Sequence, residues 1–327
     1  MPQRKDDSEE IEAFIKDMQQ QTWLGSARSW WPQFVFHFTH LDNAVNALES
    51  DCLYSRRQME VRNIPFWDSA SPEMIGRTNE QDKDLVRFFF RPRTPTQYVN
   101  EGIRTQSDIK MGAHCPVPVF LLFDSIDLLT RANCDFSNRS IATTFFGRGN
   151  DVDYLRNLPF RDIYHEGSIP LSRRDEIVAR RHAEVLVPQE LDLSGLKEIH
   201  CRSRAEKDTF LHRLSPQLRE KWQDKVFSDG RRNLFFKRWT YVDTVSLGRR
   251  NIKVKFSPDT RSPGPFQARF VIADLTGESI LLIEDGYFAN IPQNFSSDES
   301  REYYTFSIEL DGYRVYENDF QDYDMPF

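Results

Sequence analysis

Glu184 is the one carboxylate in the apolar run Ala183-Glu184-Val185-Leu186-Val187, and the basic stretch Arg180-Arg181-His182 leads into it. A carboxylate in such a run is costly unless it is paired or does chemistry. The bland alternative is a strand whose polar side chain faces water, which period-two alternation allows. Two kinds of chemistry fit a strand glutamate acting on a nucleotide sugar. It can accept a hydrogen bond from a ribose hydroxyl and stabilise an oxocarbenium-like state. It can also take a proton from an incoming nucleophile. A second stretch, Phe34-Val35-Phe36-His37-Phe38-Thr39-His40, alternates, so His37 and Thr39 share one strand face beside a coming helix. Such a corner offers donors and acceptors to a ribose or phosphate. A lone strand histidine is more often structural. Arg77 can balance charge on a phosphate or polarise an acceptor; taken alone, it reads as an exposed loop residue.

These residues need elements to hold them. Ile11, Phe14, Ile15 and Met18 form a helical stripe within Asp7 to Gln21. Phe34 to Thr39 reads as a strand, with Asp42 as N-cap of a short helix after it. Asp51 to Pro65 reads as basic and irregular, and Pro65 to Asp84 as a long polar loop of the kind that is usually functional or disordered. Strands are predicted at Val86–Phe90, Pro116–Asp124, Ala183–Val187 and Leu196–Cys201, with a short helix over Ser172–Arg181. Arg91 to Tyr98 reads as a rigid basic loop and Ser137 to His165 as surface loop. Ala205 to Phe227 reads as a helix broken near Pro216. From Arg231 the chain becomes strand-rich: Leu234–Phe236, Tyr241–Leu247, Ile252–Phe256, Phe266–Ala273, Ser279–Ile283 and Tyr303–Leu310, with turn signals at Asp274–Gly277 and Asp311-Gly312. The expected fold class is therefore α+β, followed by an all-β, sandwich-like C-terminal domain. The expected divisions are a first domain over 1–205, a helical connector over 206–230 and a β domain over 231–327.

With 39% hydrophobic and 13% aromatic residues in 327, the chain can bury a sizeable core. A net charge of −7 does not by itself announce nucleic-acid binding. Charge is uneven in the β domain: Arg231 to Phe270 holds ten Lys and Arg against two Asp, and Val271 to Phe327 two Arg against thirteen acids. The 4 cysteines lack ligand spacing and read as reduced, in a cytoplasmic protein. No metal is expected. The charged N-terminus carries no secretion signal, and no apolar stretch is long enough to span a membrane.

The ordered set His37-Phe38-Thr39-His40-Leu41-Asp42-Asn43, Phe88-Phe89-Phe90-Arg91-Pro92-Arg93-Thr94-Pro95-Thr96-Gln97-Tyr98 and Arg181-His182-Ala183-Glu184-Val185-Leu186-Val187 resembles the DarT family. These are DNA ADP-ribosyltransferase toxins of bacterial toxin–antitoxin pairs. The likeness covers roughly Phe34 to Cys201. It implies an ADP-ribosyltransferase-like split β-sheet, NAD as substrate, and transfer of ADP-ribose to a nucleobase of single-stranded DNA. It implies a macrodomain antitoxin as partner and a role as toxin or in anti-phage defence. By position Glu184 matches the catalytic glutamate, while His37, Thr39 and Asn43 match the strand-turn that meets the adenosine side of NAD. Tyr98, or Phe88 to Phe90, supplies a stacking surface for nicotinamide. Asp68 to Arg77 resembles the substrate loop, although its arginine is single here. Local arginines (Arg56, Arg57, Arg91, Arg93, Arg173, Arg174) are expected to contact phosphates, and unstacking of the target base favours single strands. The rivals are RNA or a protein side chain as acceptor, or a non-catalytic NAD- or nucleic-acid-binding module.

Overall fold

Ile11, Ile15 and Met18 are buried along the Ser8–Gln19 helix, as their spacing predicts. The computed structural model describes residues 2–230, 232–274 and 279–322. The chain divides into two compact units: Met1–Val99 with Phe120–Ile199, and Asn100–Val119 with His200–Phe327.

In the first unit the main sheet runs, in spatial order, Leu196–Cys201, Pro118–Asp124, Phe34–His40, Leu85–Phe89, Glu184–Pro188, Asp135–Ser137 and Arg148–Gly149. Phe120 to Phe123 are all buried, the pattern of a strand covered on both faces. Phe38 meets Phe120 at 5.4 Å from one face, and Phe88 meets Phe123 at 5.2 Å from the other. Leu85–Phe89 pairs with Glu184–Pro188 over its whole length, from Leu85↔Pro188 to Phe89↔Glu184. Its other edge touches Phe34–His40 through the single register pair Phe36↔Phe89. The expected split sheet takes this form, with two central strands meeting at one point and parting.

Several stretches read as loop are short capped helices. Ser55 caps Arg56–Val61, Ser71 caps Pro72–Arg77, Asn79 caps Glu80–Lys83 and Asp151 caps Val152–Arg156. Each capping side chain accepts a backbone N–H that the first turn leaves unpaired. The helix after the first strand, Leu41–Glu49, is capped by His40 rather than Asp42. The His40 Nδ1 accepts from the Asp42 N–H at 3.2 Å.

The second unit contains two antiparallel sheets. Three strands order as Val242–Leu247, Asn251–Phe256 and Gln293–Ser296; four order as Ser279–Tyr287, Phe266–Ala273, Tyr303–Leu310 and Tyr313–Gln321. Phe295 of the first sheet packs on Phe270 and Phe306 of the second, at 5.0 and 5.8 Å, giving the expected sandwich-like core. Asp311 and Gly312 both take positive φ, 49° and 82°, and close a two-residue hairpin between Leu310 and Tyr313. The other expected turn, at Asp274–Gly277, lies mostly outside the described residues. Leu234–Phe236, expected as a strand, is irregular. Asp229 accepts from the Leu234 N–H at 3.1 Å, and Glu101 from those of Phe236 and Lys237 at 3.0 and 2.8 Å, so carboxylates replace a neighbouring strand.

Candidate active site

Glu184 opens its strand in one row with Phe89 and Phe36. Directly opposed residues share a face, so its carboxylate leaves the sheet on the side of Phe36, Phe89 and, two residues along, Arg87. Its side chain is only 3% exposed. Oε2 accepts the Ile141 N–H at 2.8 Å, and Oε1 lies 3.9 Å from the Arg87 guanidinium. The Glu184 N–H donates to the Ser137 hydroxyl at 3.2 Å, fixing the strand's first residue. Burial pushes the Glu184 carboxyl up to about 7, against the opposing pull of Arg87 and the Ile141 N–H. A carboxyl so placed is divided between acid and base near neutrality, the range in which a general base works best.

His37 sits where the central strands part. Its Nδ1 lies 2.9 Å from the Arg87 carbonyl oxygen, a contact only an N–H can make, so Nε2 carries the lone pair. Burial holds its pKa below the ordinary value, which keeps the ring neutral at pH 7. Its ring meets Phe88 at 5.5 Å, so His37 leaves the sheet on the face opposite Glu184. Thr39 is buried, and its hydroxyl accepts from the Asn43 amide at 3.1 Å. The same amide clamps the Trp67 backbone from both sides, donating to its carbonyl at 2.9 Å and accepting its N–H at 2.7 Å. Trp67 in turn stacks on His40 at 4.8 Å. Asn43 therefore holds the start of the 65–71 segment in place. Tyr98 is half-buried in the short Pro95–Asn100 helix.

Arg77 is not brought to Glu184. It ends an exposed helix turn, pairs with Glu73 at 2.6 Å and is 68% exposed. The guanidinium facing Glu184 is Arg87's, which the sequence reading missed. Its signal was available: an arginine in an apolar strand, four residues before an Arg-Pro. The expected ring of phosphate-binding arginines is also largely committed elsewhere. Arg91 is buried against the carbonyls of Pro92, Ile163 and His165, and Arg93 pairs with Glu166. Arg56 pairs with Glu60 and Asp68, and Arg173 with Asp162 and Glu176. Arg57 and Arg174 make no ion pair among the described residues. The loop that supplies the Ile141 N–H also carries the exposed aromatics Phe145 and Phe146. Among the described residues no three His, Cys, Asp or Glu side chains gather as a metal site would require, and no helix is long and apolar enough to cross a membrane.

A split sheet with one buried glutamate poised near neutrality at its centre fits an enzyme of the glycosyl-transferring, ADP-ribosyltransferase class. The chain belongs to the DarT family: the profile described as ssDNA thymidine ADP-ribosyltransferase, DarT, matches residues 36–230. Similar solved structures include Thermus sp. 2.9 DarT in complex with ADP-ribosylated ssDNA, 19% identical over 63% of this chain and 97% of that one, with a TM-score of 0.49. The same protein in complex with NAD+ is 18% identical, with 63% and 98% covered and a TM-score of 0.46. Thermosipho africanus DarTG in complex with ADP-ribose is 15% identical, with 62% and 51% covered and a TM-score of 0.46. No curated protein matches the chain.

Proposed function

We propose that this protein transfers ADP-ribose from NAD to thymidine bases of single-stranded DNA. The observation that carries the mechanism is the buried Glu184 carboxylate between Arg87 and the Ile141 N–H. Glu184 accepts a hydrogen bond from the nicotinamide-ribose hydroxyl and stabilises positive charge developing on that ribose. The glycosidic C–N bond breaks and nicotinamide leaves with its electron pair. A ring nitrogen of the base forms the new bond to the anomeric carbon, and its proton passes to Glu184. Arg87 keeps a share of Glu184 ionised for that step. We assign the nicotinamide ribose to the face of the sheet that carries Glu184 and Arg87. The His37 Nε2 lone pair suits a ribose hydroxyl donor on the adenosine side of NAD, with Thr39 and Asn43 beside it, and Tyr98 is assigned as a stacking surface for nicotinamide. Phe145 and Phe146 offer stacking surfaces to an unstacked base. Arg77, exposed on its helix, is kept as a contact to the acceptor strand.

The partner we assign is a macrodomain antitoxin that removes the modification, and the compartment is the cytoplasm. The test is incubation with NAD and oligonucleotides that contain or lack thymidine, read by intact mass. Addition confined to thymidine-bearing single strands, and lost in Glu184→Gln, is expected. Addition to RNA or to protein instead, or equal addition to duplex, overturns the assignment.

A further inference from the structure

The second unit contains a cleft of about 550 Å³ whose walls include Arg204, Thr244, Ser246, Lys253, Lys255 and Asn318. Its floor follows from strand alternation. In Asn251–Phe256, Ile252, Val254 and Phe256 are buried, and Asn251, Lys253 and Lys255 are exposed. Across the sheet Lys253 is flanked by Ser246 and Asn294, and Lys255 by Thr244. One face thus presents lysines set among hydroxyls and amides, with no carboxylate in those rows.

Several other cations of this unit are neutralised. Arg249 pairs with Asp322, Arg269 with Glu309, Arg314 with Glu309 and Glu317, and Lys237 with Asp229. Lys253, Lys255 and Arg204 make no ion pair among the described residues. Two carboxylates, Asp208 and Asp319, also line the cleft. Asp319 accepts from the Thr305 hydroxyl at 2.7 Å and lies 3.7 Å from His212, and burial raises the Asp208 carboxyl above its ordinary value against the smaller opposing pull of Arg204 and Lys207. In a chain of net charge −7, a cleft whose two lysines, Lys253 and Lys255, make no ion pair among the described residues is complementary to an anion.

We infer that this cleft is a second binding site for the sugar-phosphate backbone of single-stranded DNA, with Lys253 and Lys255 on successive phosphates and Arg204 facing them. Two residues of strand rise separate the lysines by about 7 Å, which a flexible polyanion can follow. Hydroxyl and amide side chains such as Thr244, Ser246 and Asn318 are ordinary partners of phosphate and sugar oxygens. The site reads charge and not sequence, so it retains DNA irrespective of which base is modified. The inference rests on the proposed DNA substrate.

The test uses the full chain with Glu184→Gln, so that bound DNA is not consumed, and fluorescence anisotropy of a labelled single-stranded oligonucleotide across a salt series. Adding Lys253→Gln and Lys255→Gln is expected to weaken binding roughly tenfold at low salt. It should also flatten the log–log salt slope by about 1.4, at about 0.7 for each lost phosphate contact. The charge-matched pair Arg269→Gln and Arg314→Gln should leave both unchanged. Equal effects of the two pairs, or no effect of the lysine pair, overturn the inference. If the wild-type protein fails to modify thymidine and the lysine pair still weakens oligonucleotide binding and flattens its salt slope, the catalytic reading falls and the cleft stands.

Discussion

Replacing Glu184 by glutamine should stabilise the protein while removing its activity, and the gain should depend on pH. The carboxyl titrates at about 7 in the folded protein against an ordinary 4.5, because burial disfavours its charge more than Arg87 and the Ile141 N–H favour it. Between those values the folded state binds more protons than the unfolded state, so wild-type stability falls as pH rises through that window and levels off above it. At about 1.36 kcal/mol per pH unit, the full penalty is roughly 3 kcal/mol. Glutamine is nearly isosteric, and its amide oxygen can still accept the Ile141 N–H, but it never ionises. The two proteins should therefore be equally stable near pH 4.5, and the variant roughly 3 kcal/mol more stable at pH 8. Urea unfolding followed by tryptophan fluorescence at both pH values measures this directly. A variant no more stable at pH 8, or a difference that does not change with pH, would show that Glu184 is not held in the desolvated state described here.

Arg87→Gln removes the charge that draws the Glu184 pKa down, so the rising limb of kcat/KM for transfer, centred near pH 7 in the wild type, should move to higher pH; an unmoved midpoint separates Arg87 from Glu184. His37→Ala deletes a neutral hydrogen-bond acceptor worth about 1 kcal/mol, so calorimetry should find NAD bound roughly fivefold more weakly with oligonucleotide affinity unchanged. Unaltered NAD affinity would take His37 out of the site.

Much of the framework was legible from periodicity. The Ser8–Gln19 stripe, the alternation of Phe34–His40 and the apolar Glu184–Pro188 run all declare their type over several residues. Short helices such as Arg56–Val61 and Val152–Arg156 bury too few residues to establish a period, and only their Ser or Asp caps announce them. Leu234–Phe236 has strand composition but is bound by two carboxylates, one more than 130 residues away in sequence, which no local window contains. In the site, Glu184 was visible because a charge in an apolar run is anomalous. Arg87 became its partner only through the register Phe89↔Glu184, and register is a property of paired strands. Arg91 and Arg93 illustrate the converse: basic residues in sequence, but anchors of the Ile163–Glu166 segment in space.

The row Phe36–Phe89–Glu184 also bears on how such a protein would be lost under selection. Side chains alternate with a period of two, so a one-residue deletion just before Glu184 that slides the strand along its partner turns the carboxylate to the opposite face. The alternation of the strand tolerates this poorly at the site but barely disturbs the apolar run Val185-Leu186-Val187, since both faces there are buried. If expression is toxic to a host, surviving clones should accumulate single-codon indels between Arg181 and Glu184 as well as changes to Glu184 itself. These survivors should still make folded protein. Two-codon changes, which restore the face, should be rarer among them.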